Sequence, residues 1–71
     1  MFFEVWFENG PVHWVGFTST NEHEIHEFVK TSTNPQRMYV RILSDDKQRL
    51  LKLACWGKDE KFDFFSLLQQ V

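Results

Sequence analysis

The densest gathering of groups able to do chemistry is His23-Glu24-Ile25-His26-Glu27, two imidazoles and two carboxylates within one short run. On a helix, His23 and His26 stand at i and i+3 and Glu22 and His26 at i and i+4, the spacings from which one helix ligates a metal ion. The zincin arrangement requires His-Glu-x-x-His, and here two residues, not three, separate the histidines. Only the distant His13 and Cys55 remain to complete a shell. The expectation is therefore solvated histidines on a polar helix face, with no metal and no other cofactor.

The remaining reactive types have structural explanations. Cys55 with a histidine base would make a nucleophilic pair, but alternation puts it with Leu51 and Leu53 on the apolar face of a strand, where a thiol packs as a small hydrophobe. Asp45-Asp46 falls in a polar turn and Asp59-Glu60 at a helix start. The glycines at 10, 16 and 57 read as a turn, a strand position and a breaker, so no phosphate-cradling loop exists. A metal-dependent or thiol enzyme ranks third behind two binding readings, and no enzyme is expected.

The elements that must position a binding surface begin with a hairpin. Runs rich in aromatic and β-branched residues flank Glu8-Asn9-Gly10-Pro11, and Asn-Gly between such runs is a strong two-residue hairpin signal. With Asn9 and Gly10 as the loop, Glu8 lies opposite Pro11, Phe7 opposite Val12, Trp6 opposite His13 and Val5 opposite Trp14. One face then carries Phe3, Val5, Phe7, Val12 and Trp14 and must be covered. The other carries Phe2, Glu4, Trp6, His13, Val15 and Phe17.

Ser19 followed by Glu22 fits a capping box, and Ile25, Phe28 and Val29 at i, i+3 and i+4 give a short amphipathic helix from about Glu22 to Ser32. Thr31-Ser32-Thr33-Asn34-Pro35 ends it. The second half repeats the plan: a strand over Met38 to Leu43, a polar turn over Ser44 to Gln48, and a returning strand over Arg49 to Trp56. Gly57 then breaks the chain before a terminal helix that starts near Lys58 or Asp59 and carries Phe62, Phe64, Phe65, Leu67, Leu68 and Val71. A strand through Phe62 to Phe65 is the competing reading there.

The order ββαββα packs economically as an α+β domain: a four-stranded, mainly antiparallel sheet with both helices on one face. A β-grasp arrangement, with one helix crossing a mixed sheet, is the runner-up. The 71 residues make a single domain, small enough to need a dense core, and the 17% aromatic content supplies one. One cysteine allows no disulfide within the chain and points to a reducing compartment. The start has neither a basic segment nor a long apolar run, so a cytoplasmic protein without a membrane span is expected.

Function has to be sought on surfaces. With both helices on one side, the opposite sheet face should expose Trp6, His13, Val15, Phe17, Tyr39, Arg41 and Lys52. Aromatics beside cations suit either a protein partner, whose hot spots favour Trp, Tyr and Arg, or a single strand of nucleic acid, which stacks its bases on rings. Charge separates them. The net charge is −2; residues 1–35 hold five acids and one lysine, and residues 36–71 hold seven Lys or Arg and five acids. A chain without a cationic surplus starts poorly against phosphates, so a protein-interaction module (a regulator, inhibitor or adaptor) is the first expectation and a single-strand binder the alternative. Such a chain is compatible with a phage or mobile-element protein acting on a host target. Homodimerisation through an edge strand or the open face is a further expectation.

Overall fold

A computed structural model describes residues 1–32, 37–57 and 60–71. Its elements are β1 (Phe2–Asn9), β2 (Val12–Ser19), α1 (Glu22–Thr31), β3 (Arg37–Leu43), β4 (Leu50–Trp56) and α2 (Phe64–Leu68). The strands form one sheet in the order β2-β1-β3-β4, and every neighbouring pair is antiparallel. Both helices feed one core on one face, the small α+β architecture that the element order implies. The sheet is not mixed, which sets the β-grasp alternative aside.

β1 makes the two faces. Phe3, Val5 and Phe7 alternate with Glu4, Trp6 and Glu8, so the pleat sends apolar groups to the helix side and polar or amphipathic groups to the other. β3 is matched to it residue by residue, with Val5 opposite Val40, Phe3 opposite Ile42 and Phe7 opposite Met38. These are joined by Ile25 of α1 and by Phe64 and Leu67 of α2 to form the core, with Trp56 closing one end. Phe3 and Phe64 meet edge to face at 5.2 Å, a geometry that aligns the positive ring edge with the negative ring face and adds about 0.5–1.5 kcal/mol to the area they bury.

The hairpin register differs from the Asn9-Gly10 reading. Asn9 pairs with Val12, so the loop is Gly10-Pro11, with Gly10 at φ +58°. A glycine with positive φ followed by a proline, whose ring enforces negative φ, has the sign pattern of a type II′ turn. The pairing moves by two residues: Phe7 faces Trp14, not Val12. A shift of two preserves every face, because side chains alternate with period two. A bulge between Val5 and Trp6 on the β1 side then inserts Gly16 as an unpaired residue, so that Val15 faces Trp6 but Phe17 faces Val5. Phe17 therefore turns to the helix side, where it stacks on Phe28 of α1 at 4.9 Å. Its expected place on the open face is corrected accordingly.

A second irregularity, between Ile42 and Leu43, rearranges β4. Lys52 pairs with Ile42 and Ala54 with Val40, whereas Leu53 pairs with Arg41 and Cys55 with Tyr39. Lys52 is thus on the helix side of the sheet rather than the open side, and Leu53 and Cys55 are on the open side and exposed. Trp56 and Ala54 prevail over the leucines because the indole covers more core area, and it is only 7% exposed. Leu51 sits at the irregularity and still packs against the core.

The helices also start differently from expectation. Asn21, not Ser19, caps α1: its side-chain oxygen accepts from the backbone N–H groups of His23 and Glu24, while Ser19 Oγ accepts from Asn21 N–H. The helix ends at Thr31 with Ser32 as its C-cap, within the expected stop over Thr31 to Pro35, of which residues 33–35 lie outside the described residues. α2 is a single short turn and a half, capped by Asp63, instead of a helix running from residue 58 or 59, positions that also lie outside the described residues. Phe62 precedes it in irregular backbone and stacks on Trp56 at 4.0 Å with nearly parallel rings. The strand reading of Phe62 to Phe65 does not hold.

Two outcomes follow from this packing. A Cβ placed on Gly16 would lie 2.4 Å from Phe7 Cε2, and the Phe7 ring is itself packed against Trp14 and Phe28. Gly16→Ala should lower stability by about 1–3 kcal/mol, the usual cost of overpacking, measured as a shift in urea midpoint at constant slope. Asp63 is held below its ordinary carboxyl pKa of 3.8, chiefly by the hydrogen bond that Ser66 Oγ donates to it. A depressed folded-state value stabilises the fold above the ordinary carboxylate range, and the benefit disappears as pH falls through it. The stability gap between wild type and Asp63→Ala should therefore be widest at neutral pH and close in acid; a gap that is flat with pH would contradict this role.

Candidate functional site

The face of the sheet away from the helices is lined, strand by strand, by His13 and Val15 from β2, Glu4, Trp6 and Glu8 from β1, Arg37, Tyr39 and Arg41 from β3, and Leu53 and Cys55 from β4. Its centre is a connected layer. Trp6 and Tyr39 are cross-strand partners whose rings stack at 5.7 Å with planes 8° apart. The Arg41 guanidinium lies over the Trp6 ring at 5.9 Å. Glu4 holds both: its Oε1 accepts from the Trp6 indole N–H at 3.1 Å and from Arg41 at 3.0 Å. Cross-strand opposition on the sheet brings these groups together, and a carboxylate shared by two donors fixes the rotamers of both.

His13 extends the layer across β1. Its Nδ1 lies 3.3 Å from the Tyr39 hydroxyl and 3.9 Å from a Glu8 carboxylate oxygen, with its ring edge-on to the Tyr39 ring. Desolvation raises the Tyr39 phenol above its ordinary pKa of 10.0; Arg41 opposes this, and Glu8, Cys55 and Glu4 reinforce it. Apolar side chains flank the layer on both outer strands, Val15 at 43% and Leu53 at 48% exposure. Toward one end, Phe2 and its partner Leu43 close the surface, with the Lys47 ammonium 4.1 Å from the Phe2 ring.

Of the residues expected on this face, Trp6, His13, Val15, Tyr39 and Arg41 come together, and Phe17 and Lys52 do not. Glu4 and Glu8 are the anchoring partners, Leu53 and Cys55 additional members. Alternation along β1 indicates Glu4 and Glu8; nothing in Leu50-Leu51-Lys52-Leu53 signals the bulge that brings Leu53 outward.

The helix histidines are used in packing. His23 and His26 both lie against Phe65 of α2, at 5.4 and 4.4 Å. Among the described residues, no three His, Cys, Asp or Glu side chains converge as a metal site would require. A cleft of about 570 Å³ on this side includes His26, Lys30, Trp56, Phe62 and Phe65 in its lining. Its carboxylates accept from backbone, Glu60 from Gly57 N–H and Asp63 from Phe65 N–H. No family model, curated protein or solved structure matches the chain. Among the described residues no helix is long and apolar enough to cross a membrane.

Tyr39 is the chain's one tyrosine, so its ionisation reports on this layer alone. Phenolate absorbance should show a midpoint above 10.0 in the wild type, moved higher by Arg41→Gln, which removes the opposing guanidinium charge, and moved lower by Glu8→Gln. A wild-type midpoint at or below the ordinary value would show the layer to be open to water.

Proposed function

We propose that this chain is a small cytoplasmic protein-interaction module, a regulator, inhibitor or adaptor without catalytic activity, that binds a protein partner through the open sheet face. The observation that carries the reading is the Trp6–Tyr39 stack locked by Glu4 and Arg41. It sets three hot-spot residue types side by side in fixed rotamers, which removes much of the ordering cost of association. Exposed Val15 and Leu53 on either side supply the apolar area that a partner would exclude from water. The free thiol of Cys55 on the same face suits a reducing compartment.

The same geometry weighs against a nucleic-acid platform. Base stacking needs open ring faces, whereas Trp6 is engaged by Tyr39 and by Arg41. Phosphate binding needs surplus cations, whereas Glu4 neutralises Arg41 and Glu8 lies opposite Arg37 in the register.

The test is capture from host lysate with tagged protein, with and without nuclease, comparing wild type with Trp6→Ala and Leu53→Lys. One protein partner should be recovered regardless of nuclease and lost with both substitutions, while the circular dichroism of each variant stays that of the wild type. Loss of all capture on nuclease treatment would replace the proposal with single-strand binding, and capture indifferent to both substitutions would remove the open face from consideration.

A further inference from the structure

The two edges of the sheet are unlike. β4 carries Lys52 among its apolar residues and is broken by the irregularity at Leu51, both devices that discourage an edge from pairing with another chain. β2 has eight residues with no Lys, Arg, Asp or Glu and no proline; Pro11 precedes it in the turn. It is also apolar on both sides. Val12 is 57% exposed, Trp14 on the helix side 42% and Val15 on the open side 43%, and the outer backbone groups of β2 face no strand among the described residues.

We infer that β2 is a self-association edge, pairing antiparallel with β2 of a second copy about a two-fold axis. A second copy fits for reasons of charge and closure. A strand without Lys, Arg, Asp or Glu meets its own image without fixed like charges, and a two-fold pairing satisfies both unguarded edges at once, so that each end of the resulting sheet is a guarded β4. The bulge at Gly16 confines regular pairing to the Val12 to Val15 end. An axis perpendicular to the sheet within this segment keeps both open faces on one side. The dimer would thus present two copies of the Trp6–Tyr39 layer on one continuous eight-stranded surface.

The test is sedimentation equilibrium of the purified chain at about 100 μM, with Val12→Lys as the edge variant and Leu53→Lys as the open-face control. Val12 lies outside the aromatic layer, so its substitution leaves the proposed partner surface intact. The expected result is a wild-type dimer, a dissociation constant raised at least about tenfold by Val12→Lys, and no change with Leu53→Lys. In parallel, deuterium uptake over residues 12–16 should fall as protein concentration rises while that over 50–56 stays constant. A wild-type monomer at this concentration, a dimer indifferent to Val12→Lys, or a dimer dissociated by Leu53→Lys would each overturn the inference.

Discussion

The pleat of β1 is the constraint on which the rest depends. It is a central strand, hydrogen-bonded on both edges, and its strict alternation decides what each neighbour can place beside it. Phe3 and Val5 draw Ile42, Val40 and Phe17 to the helix side, and Phe64 completes the layer from above. Glu4 and Trp6 on the other side oblige β3 to offer a cation and a ring in return. Core and candidate surface are thus two readings of the same eight residues.

Glu4 does on the outer face what Phe64 does on the inner one. A carboxylate at 18% side-chain exposure needs donors, and the indole N–H and the guanidinium supply them. With Trp6 and Arg41 restrained in this way, Tyr39 has a fixed ring to stack on, and His13 a fixed hydroxyl to approach. The surface is ordered from within the sheet, which distinguishes it from a patch of loosely held aromatic side chains.

Much of this was legible in the residues. The two hairpins, the intervening helix and the faces of β1 follow from periodicity and turn chemistry, and five of the seven residues expected on the open face do meet there. The faces survived a mistaken loop because the pairing moved by an even number of residues. What could not be read were the two irregularities, each of which adds a single residue and so inverts everything beyond it. Phe17 and Lys52 were lost that way, and Leu53 and Cys55 gained. The extent of α2 was overestimated for a different reason: its aromatic residues have helical neighbours in sequence, but Phe62 finds a better partner in the flat face of Trp56 than in another helical turn.

The strand order carries a consequence for how the chain reaches this state. β1 with β2 and β3 with β4 are local pairings that each close through a short turn, whereas β1 with β3 joins segments some thirty-five residues apart. The sheet is two locally closed hairpins joined by one long-range seam. Because loop-closure entropy must be met before that seam is rewarded by burial, its zipping is the natural barrier to folding, and α1, spanning the gap, shortens the search by contracting the connection. Val5, Val40, Phe3 and Ile42 thus make the long-range contacts of the sheet, while the hairpin tips make local ones.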